Sequence, residues 1–202
     1  MALFSPAYPA PDPSVGIISQ FPPGVKENAA VFTHANAFFL VALLAAGLGE
    51  EAARLYRALD PSRQPQPRYR MEPYVFSQYV AGPESDRFGQ GAFHWMTGSA
   101  AWMFRAVLDW MLGLRAELDG LRVDPCIPSS WEHFKVERPY RGALVRLSVR
   151  NPEHVVRGVR SLRVDGAERD PAGVVGPFPE HAEVDIDVVM GPSSPAQHPH
   201  PR

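Results

Sequence analysis

The spacing of apolar residues changes near Asp119, and this change constrains the fold more than any other feature of the chain. Upstream of Asp119, apolar side chains recur with the period of a helix. Downstream, short stretches rich in Val, Leu and Arg alternate between apolar and polar residues, which is typical of strands. Because the two patterns occupy separate parts of the chain, the sequence predicts an α+β fold, with residues 26–113 helical and 119–189 mainly strand.

Three helical patterns precede the change. Residues 37–46 are apolar on every face, which predicts a helix that is buried all round. A second helix is predicted to begin at Glu50-Glu51, where negative charge favours the helix dipole, and to end at Asp60-Pro61. The third pattern covers 97–112, with Gly113 as its C-cap.

Five segments of the second half predict strands, namely 121–123, 135–136, 144–149, 159–164 and 184–189. Asp165-Gly166 is the strongest hairpin signal between them. These segments predict an all-β region that forms a sandwich or part of one.

The placement of 22 prolines divides the chain further. They cluster before residue 24, between 61 and 67, and after 170, where they mark loops and extended segments. Since free proteins seldom begin with such an arm, we expect the chain to be the C-terminal piece of something longer. The predicted parts are an extended arm at 1–25, a helical region at 26–118, a β-domain at 119–190 and a disordered tail at 191–202.

Charge and cysteine content exclude several classes of function. Twenty basic and 22 acidic residues leave a net charge of -2, without the basic surface that nucleic acids or anionic membranes require. Cys126 is the one cysteine, which excludes an internal disulfide and a cysteine-based metal cluster. The longest apolar run, 35–48, is shorter than the ~20 residues that cross a bilayer, and no export signal is visible. These features predict a cytoplasmic protein.

Polar residues stand at the start of the first predicted helix. Glu27 belongs to Lys-Glu-Asn at 26–28, and His34 belongs to Thr-His-Ala-Asn at 33–36. Free amides at a helix start attract anions and an imidazole adds a donor, so this group indicates an anion site. The alternative is that Thr33 or Asn36 only caps the helix.

Two further groups combine aromatic and polar residues. In the first, residues 72–79, Glu72 and Gln78 lie among aromatics, which suits the hydroxyls and flat faces of a sugar, although a core segment with polar ends has the same pattern. In the second, residues 93–100, Gly98 allows an anion to approach backbone amides closely, and Thr97 or Ser99 alternatively caps the following helix.

Together these motifs resemble glycoside hydrolase family 94, the inverting disaccharide phosphorylases. The resemblance covers residues 3–170. It rests on five segments in the same order and spacing: Lys-Glu-Asn at 26–28, Thr-His-Ala-Asn at 33–36, Glu-Pro-Tyr-Val-Phe-Ser-Gln at 72–78, Trp-Met-Thr-Gly-Ser-Ala-Ala-Trp at 95–102 and Asp-Gly-Leu-Arg-Val-Asp-Pro-Cys-Ile-Pro at 119–128.

The resemblance implies a fold, a reaction and a set of site residues. The fold is the C-terminal part of an (α/α)6 barrel followed by a small, sandwich-like all-β domain. Inorganic phosphate cleaves a β-linked disaccharide to an α-sugar 1-phosphate and a free sugar, with no metal or organic cofactor, in a homodimeric parent enzyme. The phosphate-binding residues are His34, Thr97 and Gly98, and the sugar-binding residues are Glu27 and Gln78.

The resemblance also implies that part of the active site is absent. In the family, the general-acid aspartate and an arginine that clamps phosphate lie N-terminal to the Lys-Glu-Asn motif. Upstream of Glu27 this chain offers only Asp12, in the proline-rich arm. We therefore expect no catalytic residue in this chain and no activity of the chain alone.

Two alternatives remain open at this stage. The C-terminal region of cyclic β-1,2-glucan synthases is similar to the family, and a non-catalytic carbohydrate-binding module would also combine helices with a β-domain. A plain binding module has no reason to keep both His34 and the Thr97-Gly98 pair, which favours the enzyme.

Overall fold

The structure is a computed structural model that describes residues 1–192. It contains both helices and sheets, which confirms the predicted α+β class. The chain divides into two compact units. The first comprises Met1–Ala42 and Arg54–Ala106, and the second comprises Leu43–Ala53 and the chain from Val107 onward. The predicted tail at 191–202 lies outside the described residues from position 193.

The helices follow the predicted order. They are α1 (Thr33–Ala45), α2 (Gly49–Leu59), the short α3 (Gln66–Tyr69) and α4 (Ser99–Arg105). Two 3-10 turns cover Gly16–Gln20 and Pro61–Arg63, and a π-helix, Ala106–Met111, continues directly from α4. The predicted helix at 97–112 is thus an α-helix that widens into a π-helix.

Helix α1 is buried on one side only, so the prediction that it is buried all round is wrong in this chain. Ala37, Leu40 and Leu44 are fully buried, whereas Phe38 and Phe39 are 48% and 38% exposed. An apolar pattern shows which residues tolerate burial, but burial itself depends on the elements that surround the helix.

The predicted helix ends are confirmed. Helix α2 ends at Leu59, where the Asp60 carboxylate accepts a hydrogen bond from the Ser62 amide and Pro61 opens the next turn. Gly113 follows the π-helix with φ +78°, and a Cβ there would collide with the backbone of Asp124 and Pro125. Only glycine fits this approach without strain.

The first unit also contains a small antiparallel sheet, so the prediction of helix throughout 26–113 is wrong at three places. Strand β2 (Tyr79–Val80) lies between β1 (Val31–Phe32) and β3 (Gly91–Ala92). Each strand has two residues, which is too short for an alternating pattern to be visible in the sequence.

The arm at 1–25 contains the 3-10 turn Gly16–Gln20. Asparagine side chains attach the arm to the rest of the first unit. Asn28 is fully buried, and its side-chain amide donates to the carbonyls of Tyr8 (3.0 Å) and Phe21 (2.7 Å). Its oxygen accepts from the Tyr8 amide at 2.8 Å. The Asn36 amide group donates in the same way to the carbonyl of Met1 at 2.9 Å.

The second unit carries two sheets. One has the order β10-β5-β4, and the other has the order β6-β7-β11-β8-β9, in which the β7–β11 pair is parallel and its other pairs are antiparallel. Their bounds are β4 (Leu114–Glu117), β5 (Gly120–Val123), β6 (His133–Tyr140), β7 (Ala143–Arg150), β8 (Val159–Val164), β9 (Ala167–Arg169), β10 (Val174–Val175) and β11 (Glu183–Met190).

All five predicted strand segments lie within these strands, and Asp165-Gly166 forms the turn between β8 and β9 as predicted. The first strand of the second unit begins at Leu114, five residues before the predicted change of period. Along β7 and β11 every second residue is buried, which places one face of the larger sheet on the core. No helix among residues 1–192 is both long and apolar enough to span a membrane.

Candidate functional site

His34 lies in the first turn of α1, among aromatic rings of the first unit. Its imidazole is 5.1 Å from the ring of Phe38 and 6.3 Å from that of Trp102, measured between centroids. Phe38 and Trp102 meet edge to face at 4.6 Å. These rings shield one side of the imidazole and hold its orientation.

Gly98 lies directly against this imidazole. A Cβ placed on Gly98 would be 3.6 Å from both Cε1 and Nε2 of His34. His34 and Gly98 therefore meet, although α1 and α4 are distant in sequence. Gly98 itself is exposed, whereas His34 Nε2 is buried.

Thr97 stabilises the start of α4. Its hydroxyl oxygen accepts a hydrogen bond from the Ser99 amide at 3.1 Å and lies 2.8 Å from the Ser99 hydroxyl. Thr97 thus pairs the first amide of α4, although the N-cap position itself is Gly98, which has no side-chain cap. Thr33 and Asn36 make different contacts, since the Thr33 amide donates to the Gln78 carbonyl at 2.8 Å and the Asn36 side chain donates to the Phe32 carbonyl at 2.8 Å.

Gln78 is fixed through its backbone on both sides. Its amide donates to the Ala92 carbonyl at 3.0 Å, and its carbonyl accepts from Thr33, the residue before His34. The short sheet β1-β2-β3 therefore links the Gln78 backbone to the start of α1.

Glu27 lies in a tight turn between Lys26 and Ala29, which have φ values of +51° and +67°. The Lys26 ammonium lies 4.8 Å from the ring centroid of Phe21 and 4.9 Å from that of Phe93. No role for Lys26 itself was predicted from the sequence. Its place beside Glu27 in the Lys-Glu-Asn motif was the available signal, and the cation–π contacts hold its charge at this turn.

Three side-chain atoms among residues 1–192 are buried without a hydrogen-bond partner: Glu27 Oε2, His34 Nε2 and Gln78 Oε1. All three belong to predicted site residues. A buried polar atom without a partner costs about 1–3 kcal/mol, and such atoms are few in native proteins. All three atoms are free to bond to a polar ligand.

Four of the nine non-glycine residues with positive φ among residues 1–192 lie in or near these motifs. Lys26 and Ala29, on the turn around Glu27, have positive φ, and so do Phe93 and Trp95, just before Thr97-Gly98. Such conformations are unfavourable for residues with a Cβ and are frequent at functional sites.

The two oxygens of Glu72 contact consecutive residues of the next motif. Oε2 lies 2.6 Å from Nδ1 of His94, and Oε1 accepts from the Trp95 indole at 3.4 Å. The pKa of Glu72 is lowered by a hydrogen bond from its own backbone amide and by the one from His94. The sequence pattern suggested that Glu72 contacts a sugar, but it gave no sign of this link to residues 94–95.

Two cavities are lined by other residues. A cavity of roughly 90 Å³ is lined by Thr33, Tyr69 and Ser77, among others. An open groove of roughly 740 Å³ runs over the larger sheet of the second unit, beside Lys135, Arg150 and Asp187. None of the predicted site residues lines either of these two cavities. Among residues 1–192, no three His, Cys, Asp or Glu side chains form a group that could hold a metal ion.

Comparison with known families agrees with the motifs. A family model described as the glycosyl hydrolase 94 superfamily, catalytic domain, matches residues 1–113.

Three relatives are similar over most of the chain. An N,N'-diacetylchitobiose phosphorylase of Vibrio proteolyticus is 36% identical over 191 residues, which is 94% of this chain and 24% of that protein. A solabiose phosphorylase of Paenibacillus borealis is 39% identical over 166 residues, 81% of this chain and 22% of that protein. A cyclic beta-(1,2)-glucan synthase of Rhizobium meliloti is 37% identical over 152 residues, 73% of this chain and 5% of that protein. The chain thus spans about a quarter of the length of the two phosphorylases.

Proposed function

The chain belongs to the glycosyl hydrolase 94 superfamily, and from this premise we propose that it forms the C-terminal portion of an inverting carbohydrate phosphorylase. In this proposal residues 26–118 supply the end of an (α/α)6 barrel, and residues 119–190 supply its small, sandwich-like β-domain. The substrates are a β-linked disaccharide or oligosaccharide and inorganic phosphate. The disaccharide and sugar phosphorylases among the relatives support this substrate class.

Phosphate binds between His34 and Gly98 in this proposal. His34 Nε2 is buried and lacks a protein partner, and Gly98 lies against the same imidazole. The Gly98 backbone and the Thr97 hydroxyl supply further donors at the same place. Because phosphate is already an anionic nucleophile at neutral pH, the protein has to bind and aim it rather than deprotonate it.

In this proposal, hydrogen-bond acceptors of the protein hold the sugar. Glu27 Oε2 and Gln78 Oε1 are buried oxygens without a donor, and sugar hydroxyls are donors. Binding a hydroxyl would satisfy each oxygen and remove the cost of leaving it unpaired.

The reaction follows from this arrangement. A phosphate oxygen forms a bond to the anomeric carbon on the face opposite the leaving sugar, and the bond from that carbon to the bridging oxygen breaks. The bridging oxygen takes a proton from a general-acid aspartate, which we place outside this chain. The products are an α-sugar 1-phosphate, with inverted configuration, and a free sugar. The parent is proposed to be a cytoplasmic homodimer that needs no metal or organic cofactor, and this chain alone is proposed to be inactive.

One observation carries the proposal. The three buried, unpartnered atoms among residues 1–192 belong to His34, Glu27 and Gln78, three of the five residues that the motifs assign to phosphate and sugar. Ordinary core residues would have partners, whereas residues that receive a ligand keep free atoms until it binds.

The glucan synthase among the relatives favours a second candidate. In that case the chain is the C-terminal region of a cyclic β-1,2-glucan synthase, and the same residues bind a growing β-1,2-glucan. The two candidates differ in their need for inorganic phosphate at His34.

Phosphate binding to the 202-residue chain tests the proposal. We expect inorganic phosphate to shift the amide resonances of Thr97 and Gly98 and the imidazole signals of His34 in NMR spectra. His34→Ala should abolish these shifts, whereas His133→Ala, at an exposed position on β6, should leave them unchanged. Shifts caused only by a β-1,2-linked glucose disaccharide would support the synthase, and no response to phosphate would contradict the phosphorylase.

A further inference from the structure

The Glu72 carboxylate holds two consecutive side chains of a distant loop. One oxygen lies 2.6 Å from Nδ1 of His94, and the other accepts the indole N–H of Trp95 at 3.4 Å. Because both oxygens take part, the carboxylate restrains the orientation of the loop as well as its distance from residue 72.

The loop that Glu72 holds is in an unfavourable backbone conformation. Phe93 and Trp95 have φ values of +55° and +60°, although both carry bulky side chains. The Met96 amide donates to the His94 carbonyl at 2.7 Å and closes a three-residue turn around Trp95. Such turns are rare and strained, and they persist when other contacts over-determine them. The contacts from Glu72 fulfil that requirement.

This turn leads directly into Thr97 and Gly98, two of the proposed phosphate-binding residues. Thr97 follows Met96, and Gly98 lies against His34 at ordinary contact distance. A change in the turn at 94–96 would therefore move Thr97 and Gly98 relative to the His34 imidazole.

Glu72 itself is poorly suited to contact the ligand. Both of its oxygens have partners. Its lowered pKa keeps the carboxylate ionised at neutral pH, and a carboxylate close to phosphate would repel it. Its effect on phosphate must pass through the loop.

We propose that Glu72 is a positioning residue, which fixes the strained turn at His94-Trp95-Met96 and thereby places Thr97 and Gly98 for phosphate beside His34. The inference rests on the proposed phosphate site and adds a residue that determines its geometry.

Two NMR measurements on the 202-residue chain test the proposal, with inorganic phosphate as the probe. The first is the dissociation constant of phosphate from the Gly98 amide shift, and the second is hydrogen exchange of the amides at 94–99. We expect Glu72→Gln to accelerate exchange at 94–99 and to raise the dissociation constant of phosphate about tenfold. Loss of a residue that orients metal ligands has an effect of that size.

Glu84→Gln is the matched control, because it removes the same charge from an exposed glutamate of the same unit. It should change neither measurement. Trp95→Phe keeps an aromatic ring but removes the donor to Glu72, so it should give a smaller change in the same direction, and it replaces Glu72→Gln if that variant does not fold.

The outcomes distinguish failure of the positioning role of Glu72 from failure of the proposed phosphate site. If the original chain binds phosphate and Glu72→Gln behaves like Glu84→Gln in both measurements, the positioning role is refuted. If the original chain binds no phosphate, the phosphate assignment fails, and exchange at 94–99 alone decides whether Glu72 fixes the turn. Unchanged exchange would then overturn the inference as well.

Discussion

The His34 imidazole lies against Gly98, so closely that a Cβ on Gly98 would be 3.6 Å from His34 Nε2. This is an ordinary contact distance, and Gly98 has φ −74°, which any residue adopts. Glycine at this position is therefore required neither by backbone conformation nor by packing. A Cβ added at this position would lie beside the unpartnered Nε2 of His34.

Gly98→Ala should consequently fold normally but lose phosphate binding. The added methyl group fits the protein yet occupies the position of a phosphate oxygen at His34 Nε2. We expect the melting temperature to change by no more than a few degrees and phosphate affinity to fall at least about tenfold, the equivalent of 1.4 kcal/mol. Thermal unfolding and a phosphate titration measure both, and unchanged affinity in a folded Gly98→Ala chain would contradict the site.

The sequence predicted those parts of the fold and site that depend on local patterns. Helix α2 and strand β11 were predicted closely, because an apolar stripe or an alternation over six or more residues is a strong signal. The two-residue strands were missed, since their pairing depends on residues far away in sequence. The Glu72 contacts were missed for the same reason. The meeting of His34 and Gly98 has no signal in any local pattern; the resemblance implied that both residues bind phosphate.

Asn28 should be the main anchor of the arm at 1–25. Its buried side chain makes three hydrogen bonds, to the amide and carbonyl of Tyr8 and to the carbonyl of Phe21. Asn28→Ala leaves these backbone groups unpaired and should destabilise the chain by about 2–3 kcal/mol. Limited proteolysis should then cleave the arm faster. Ser14→Ala, which alters an exposed contact within the arm, should leave cleavage unchanged.

Asp124 should stabilise the second unit in a pH-dependent way. Burial alone would raise its pKa, but hydrogen bonds and charge from Arg157 and Arg115 outweigh burial and lower it. A carboxyl group whose pKa is lower in the folded state contributes stability above its unfolded pKa, and this contribution disappears as the pH falls through the folded value.

We therefore expect Asp124→Asn to destabilise the protein by about 2–3 kcal/mol at pH 7 and by progressively less below about pH 4. Denaturant unfolding at several pH values measures this difference. Asp187→Asn, at an exposed position on β11, should show no comparable loss. A destabilisation by Asp124→Asn that does not depend on pH would contradict the role of the ion pairs.

Cys126 should be unreactive in the folded protein. Burial raises the pKa of its thiol to about 11, and its side chain is almost entirely shielded from solvent. Since the thiolate is the reactive form, only about one thiol in a thousand is ionised at pH 8. A thiol reagent should modify Cys126 only after denaturant unfolds the chain, and rapid modification without denaturant would show that the thiol is accessible.

Gln78 should lower the stability of the ligand-free protein, because its buried Oε1 has no partner. Its backbone hydrogen bonds to Thr33 and Ala92 do not depend on the side chain, so Gln78→Met keeps the sheet and replaces the unpaired oxygen by an apolar group of similar length. We expect the free energy of unfolding to rise by about 1 kcal/mol, while sugar binding weakens. Such opposite effects are typical of residues kept for function.

Gln64→Met is the matched control, since the Gln64 amide donates to the carbonyls of Ala58 and Asp60. The same substitution there removes satisfied hydrogen bonds and should leave stability unchanged or lower it. Denaturant unfolding of both variants without sugar distinguishes the two situations. If Gln78→Met is destabilised as much as Gln64→Met or more, its oxygen is not an unpaired group awaiting a ligand, and the assignment of Gln78 to the sugar loses its structural support.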